Sequence, residues 1–152
     1  MSRMKFLNTE IDNLTMNEAI EKIDLLIQKK KPAYVVTPNV DHIVKLENDK
    51  EFRVVYSDAD LILTDGMPLI WISKLQKNEI KEKVSGSDLF PKVCELAAKK
   101  SYSVFLLGAA EGIASKAGEK LSEKYSGLNV VGTYSPSYGF EKMKKKLIGL
   151  LS

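Results

Sequence analysis

The amino-acid sequence predicts an α/β fold, a Rossmann-like parallel sheet with helices on both faces. Three observations lead there. Three runs, Ala33–Thr37, Leu61–Thr64 and Val104–Leu107, are β-rich and lack polar alternation, the pattern of strands buried on both faces, and Leu128–Val131 reads as a fourth strand. Segments with apolar residues at helical spacing lie between them. Turn-forming residues, Pro38-Asn39, Asp65-Gly66 and Gly108, stand where the three runs end.

Taken in order, Phe6 to Ile11 reads as a short leading strand or extended arm. Thr15-Met16-Asn17-Glu18 is a capping box, with Thr at the cap and Glu three residues on. The helix it opens has Ala19, Ile20, Ile23, Leu26 and Ile27 on one side; Lys29, Lys30 and Lys31 suit its negative end and Pro32 stops it. After the first buried run, Asn39 caps a helix through Ile43, Val44 and Leu46, and a second helical stretch covers roughly Lys50 to Tyr56. Beyond Asp65-Gly66, Pro68 sits where prolines favour a helix start. The segment Leu69 to Leu75 is short and apolar; Trp71, with Met67, Leu69 and Ile70, reads first as core packing, against a face turned to an interface or to a lipid carrier. Ser87 or Asp88 caps a helix to about Lys99, with Leu89, Val93, Leu96 and Ala97 inward. Gly108 to Gly112 leads into a helix ending near Tyr125, and Phe140 to Leu151 is amphipathic at helical spacing.

The 152 residues are expected to form a single domain, and 44% hydrophobic with 28% charged residues is the balance of a globular protein. The formal charge of +3 resides in the last twelve residues, which hold four Lys and one Glu. The remainder balances at 19 against 19, so a generally basic nucleic-acid surface is not expected. A single cysteine, Cys94, excludes an intramolecular disulfide, and a single histidine, His42, argues against a histidine metal site. His42 reads as a satisfied structural residue and Cys94 as a buried small hydrophobe. Residues 1–12 lack the apolar core of a signal peptide and no run approaches a membrane span, so a cytoplasmic location is expected.

In open parallel sheets, ligands bind beyond the carboxyl ends of the strands. From Thr37 to Phe140 the chain carries a set of short motifs, some at those ends and some around them: Thr37-x-Asn39, Ala59-Asp60 before an apolar strand, Asp65-Gly66, Ser85-Gly86-x-Asp88-Leu89, Phe105-Leu106-Leu107-Gly108 and Tyr138-Gly139-Phe140. Their order and spacing resemble the WecG/TagA/CpsF glycosyltransferase family from Thr37 to Phe140. Lys83 stands where family members usually have arginine, keeping the charge but losing the bidentate fork. The resemblance also implies a continuation beyond Ser152: a further strand, a Gly-x-Pro-Lys-Gln-Glu motif and a basic appendage that meets the membrane. This chain would then be the core that precedes them.

The resemblance implies inverting transfer of N-acetylmannosamine from UDP-ManNAc to GlcNAc-diphospho-undecaprenol, in the linkage unit of wall teichoic acid. The location implied is peripheral, at the inner face of the cell membrane, and a homo-oligomer is expected. Asp65 is the candidate base for the acceptor proton; read without the family, it is a helix cap with Gly66 supplying the turn. Thr37, Asn39 and Gly66 are candidate sugar contacts. Lys83, Ser85 and Gly86 are candidates to face a phosphate, against a solvated lysine and an ordinary turn. Gly108 and Ala109 offer amides to a diphosphate, against a tight strand-to-helix turn. Tyr138 is a candidate lining residue for the uridine, with Tyr134 and Phe140 beside it. Asp58-Ala59-Asp60 has the spacing of a metal-holding Asp-x-Asp, but it precedes a strand and so falls at the end opposite Asp65. Metal-independent transfer with no cofactor is therefore expected. The alternatives are a non-catalytic nucleotide-binding α/β module, a family member with another UDP-sugar donor, and an oligomerisation core.

Overall fold

A computed structural model describes residues 3–137 and 139 of the chain. Six strands and six helices run along these residues, in short parallel and antiparallel sheets, and the α/β class holds. The chain divides into two compact units, Met1–Val93 and Cys94–Ser152.

The first unit opens with β1 (Met4–Phe6) and β2 (Thr9–Ile11), an antiparallel hairpin with Met4 opposite Ile11 and Phe6 opposite Thr9. The sequence predicts one strand or arm here. The chain instead reverses at Leu7, whose φ of 51° is left-handed. The reversal lets Phe6 and Ile11, both fully buried, enter one core. Helix α1 (Met16–Gln28) starts at the predicted capping box: Thr15 Oγ1 accepts from the Glu18 N–H at 3.3 Å, and Glu18 Oε2 accepts from the Thr15 N–H at 2.8 Å.

Strands β3 (Val35–Val36) and β4 (Leu61–Ile62) pair in parallel, Val35 beside Leu61. Beyond the ladder, Leu63 N–H donates to the Val36 carbonyl and Asp65 N–H to that of Pro38, each at 2.9 Å. The other edge of this strand faces Asp12 and Val84. Asp12 N–H donates to the Ile62 carbonyl at 2.8 Å, and Val84 N–H donates to that of Thr64 at 2.9 Å. Side chains alternate across a strand, and here both faces are covered. Leu61 and Leu63 pack with Ala19 and Ile23 of α1, while Ile62 packs in the core of Phe6, Ile11, Ile43, Leu46 and Tyr56. The expectation of a doubly buried Leu61–Thr64 run is met. The run at Ala33–Thr37 is only half-buried at Val35 and Val36, and Ala33 and Tyr34 are exposed. Among the described residues β3 has a strand partner on one side only.

Helix α2 (Val40–Asn48) is capped by Asn39 as predicted, and α3 (Lys50–Ser57) by Asp49. Helix α4 (Met67–Leu75) follows Gly66 with Pro68 in its first turn. It buries Leu69 and Ser73, but Trp71 is 60% exposed, so its reading as a core residue is overturned. The helix turns its Leu69 face to the core, and Trp71 lies on the other side.

Helix α5 (Gly86–Lys100) runs through the division between the units. In the second unit, β5 (Ser103–Leu107) and β6 (Asn129–Tyr134) pair in parallel, joined through α6 (Ile113–Lys124). Cys94, Ala97 and Leu128 form its core with Val104, Leu121 and Val130 around them. Burial pushes the Cys94 thiol pKa up, which suits an inert hydrophobe. The Val104–Leu107 run is not buried on both faces: Leu106 is buried, but Phe105 and Leu107 are exposed. Within this unit the helices pack on the face that carries Val104 and Leu106. The amphipathic segment predicted at Phe140–Leu151 lies outside the described residues.

Candidate functional site

Two of the three predicted strand ends meet in the first unit. The ladder that joins Val36 to Leu63 and Pro38 to Asp65 sets Thr37 and Asp65 at the same end of adjacent strands. The bond from Val84 to Thr64 brings Ser85 and Gly86 to that end from the other side. The approach is close, since a Cβ on Gly86 would lie 3.2 Å from the Thr37 hydroxyl. Glycine is what lets these two segments stand so near.

Asp65 is half-buried at this junction. Its carboxylate has no hydrogen-bond or ion-pair partner among the described residues. The capping alternative fails, because the N-cap of α4 is Gly66 with φ 111°, and no side chain caps that helix. Glycine takes this left-handed φ without strain, and it turns the chain so that the carboxylate stays out of the helix. Thr37 is likewise without a side-chain partner among the described residues. Asn39 is partly occupied: its Oδ1 accepts from the His42 N–H at 3.0 Å, and His42 Nδ1 accepts from the Asn39 N–H at 3.3 Å. This gives His42 its structural role, and leaves the Asn39 amide nitrogen without a partner among the described residues.

Ser85 is buried and caps α5, where Ser87 or Asp88 is predicted to do so. Its Oγ donates to Asp88 Oδ2 at 2.6 Å and accepts from the Asp88 N–H at 3.2 Å. Lys83 Nζ lies 3.7 Å from the same Asp88 oxygen. The hydrogen bond from Ser85, and then the Lys83 charge, hold the Asp88 carboxyl below the usual carboxylate range. Asp88 was not anticipated as the partner of both residues, although the Ser-x-x-Asp spacing is that of a capping box. A group with a lowered folded pKa stabilises above its unfolded pKa, and that contribution is lost as pH falls through the folded value. Asp88→Asn is therefore expected to lower the urea midpoint at neutral pH, with the two proteins converging in strong acid.

Asp58 and Asp60 sit at the opposite end of β4, as predicted. Asp60 Oδ2 accepts from the Tyr34 N–H at 2.9 Å, and the Asp60 N–H donates to the Tyr34 carbonyl at 2.9 Å. Asp58 is the C-cap of α3. Gly108 and Ala109 belong to the second unit. Gly108 N–H donates to the Tyr134 carbonyl at 2.9 Å and its carbonyl accepts from Ser135 Oγ at 3.3 Å. Ala109 follows in the left-handed region at φ 62°, a conformation uncommon for a residue with a side chain. Tyr138 lies outside the described residues. Two grooves of the first unit, about 560 and 720 Å³, are lined by other residues, among them Arg53 in one and Glu18 and Lys81 in the other. The second is walled by charges that already pair, Arg3 with Asp12 and Lys81 with Glu18.

Comparison with known proteins bears on this junction. An N-acetylglucosaminyldiphosphoundecaprenol N-acetyl-beta-D-mannosaminyltransferase of Bacillus spizizenii is 26% identical over 138 residues, 91% of this chain and 52% of the relative. A Bacillus subtilis protein of the same description is 29% identical over 112 residues, 74% of this chain and 43% of the relative. One from Staphylococcus aureus is 22% identical over 130 residues, 84% and 51%. The chain spans about half the length of the curated relatives it matches. The profile of the glycosyl transferase WecG/TagA/CpsF family matches residues 4–150, which include every strand end described above, and the chain belongs to that family.

Proposed function

We propose that the chain is the core of an inverting, metal-independent glycosyltransferase that moves N-acetylmannosamine from UDP-ManNAc to GlcNAc-diphospho-undecaprenol. The observation that carries this reading is the Asp65 carboxylate, half-buried at a parallel strand end, without a partner among the described residues and without a capping role. The relatives' descriptions supply the donor sugar and the acceptor. No helix among the described residues is long and apolar enough to cross a membrane. The enzyme then works as a peripheral protein at the inner face of the membrane that holds its acceptor.

In this reading the acceptor hydroxyl attacks the anomeric carbon from the side opposite the diphosphate. Its proton passes to Asp65 as the new C–O bond forms. The bond from sugar to phosphate oxygen breaks, and UDP leaves with the electron pair. The Thr37 hydroxyl and the Asn39 amide hold the sugar, with Gly66 leaving it room. Charge on the departing diphosphate is met by Lys83 and by the Ser85-Gly86 turn. Lys83 shares its charge with Asp88, so a phosphate must compete for it. Tyr138 is assigned to the uridine.

Binding to the folded state raises stability by RT ln(1+[L]/Kd), about 2.7 kcal/mol at a hundredfold excess over Kd. UDP is expected to raise the melting temperature where AMP and NAD do not; equal or absent shifts overturn the reading. Sugar transfer to a lipid-diphosphate-GlcNAc analogue is expected to persist in EDTA. Activity lost to EDTA and restored by Mn²⁺ would show that a cation, not these side chains, meets the leaving group.

A further inference from the structure

We propose that the outer face of α4 is a membrane-docking ridge that lies on the anionic bilayer holding the acceptor. The inference rests on the transferase reading for its biological sense, and on the structure for its geometry. Met67, Trp71 and Leu75 are spaced by four residues and so share one side of the helix. They are 47%, 60% and 85% exposed. The same helix seats itself through its opposite side, where Leu69 and Ser73 have no exposed surface. Ser73 is pinned there: its Oγ donates to the Ile70 carbonyl at 2.7 Å and accepts from the Ile80 N–H at 3.1 Å. The outward stripe, about 12 Å long, therefore leaves about half or more of each of its three side chains in solvent.

The chemistry around the stripe selects a bilayer. Lys74 falls on the same side by helical spacing, and residues 67–78 contain Lys74 and Lys77 but no carboxylate. Among the described residues Lys74 makes one ion pair, 3.9 Å from Glu79, with both side chains exposed; such a pair leaves the lysine available to another anion. Large apolar side chains with a tryptophan and flanking lysines are what the headgroup region of an anionic membrane accepts. A second copy of the chain fits less well. A stable interface needs roughly 800 Å² per partner, more than the outer side of a nine-residue helix offers, and pairing like ridges would oppose like charges. Position adds to the case, because α4 begins at Gly66. A ridge resting on the bilayer brings the adjoining Asp65 to the surface from which a lipid-linked hydroxyl is presented.

Trp71 is the only tryptophan in the chain, so its fluorescence reports on the ridge alone. With vesicles of phosphatidylglycerol and phosphatidylcholine, its emission is expected to shift to the blue and to be quenched by acyl-brominated lipid. Phosphatidylcholine alone should bind more weakly. Leu75→Asp, at a position 85% exposed, should leave the melting temperature unchanged and weaken vesicle binding about tenfold or more. No response to anionic vesicles overturns the proposal. So does a blue shift that grows with protein concentration in the absence of lipid, which would place a second copy on the ridge. UDP stabilisation in lipid-free buffer is read separately. A UDP-responsive protein with silent Trp71 fails the docking proposal alone. A vesicle-responsive protein that ignores UDP fails the transferase reading alone.

Discussion

Asp65→Asn is expected to slow sugar transfer by about 10²- to 10⁴-fold, the usual contribution of a positioned general base. Asparagine keeps the shape of the side chain and removes its ability to take the acceptor proton. The fold should not register the change. The carboxylate has no partner among the described residues and does not cap α4, so the substitution orphans no donor. A change in stability within about 0.5 kcal/mol is expected, and stabilisation by UDP should persist. Measured together, transfer rate, melting temperature and UDP shift separate a base from a structural aspartate. Full activity in Asp65→Asn removes the base assignment. A large loss of stability instead returns Asp65 to a structural role. Retained UDP binding in a wild-type chain that never transfers sugar, even when joined to a complete family member, favours the non-catalytic nucleotide-binding module.

Asp12→Ala is expected to destabilise the first unit by about 3 kcal/mol, read as a lower urea midpoint. Asp12 is 5% exposed. Its Oδ2 accepts from the Ile62 N–H at 2.8 Å, and its own N–H donates to the Ile62 carbonyl at 2.8 Å. The side chain therefore completes, for one residue, the ladder that a neighbouring strand would supply. Arg3 lies 3.6 Å from the same carboxylate oxygen and also donates to the carbonyls of Ser57 and Ala59. Alanine leaves the Ile62 N–H buried without an acceptor and removes the anion that faces Arg3. Asp12→Asn retains an acceptor oxygen and should lose clearly less. Equal losses in the two variants would mean that the charge, not the bond to Ile62, holds this edge of β4.

Features that act within a few residues were legible from the chain. The capping box at Thr15 and the cap at Asn39 each need only a side chain and an amide three residues on, and both formed as read. The Leu61–Thr64 run was recognisable because three successive apolar residues and a β-branched threonine leave no charged or strongly polar face to solvate. The cap of α5 was misplaced because Ser85, Ser87 and Asp88 are all competent; the bond from Val84 to Thr64 ends the extended segment at Ser85 and so chooses among them. The hairpin at Leu7 escaped notice because Leu7-Asn8 is not a turn pair of the Asn-Gly type; burial of Phe6 and Ile11 in one core makes up for it.

The candidate site divides the same way. That an aspartate and a glycine end a buried strand is written in the order of residues. Whether that aspartate caps the next helix or stands free depends on the φ of Gly66 and on the ladder to Pro38, which involve segments far apart in sequence. The fate of Trp71 is of the same kind. Helical spacing sorts Met67, Trp71 and Leu75 onto one side and Leu69 and Ser73 onto another. Both sides carry apolar groups, so periodicity cannot say which one meets the core. Only the packing of the Leu69 face beside Ile62 and Ile80 settled it, because burial is a property of what surrounds a residue and not of the residue itself.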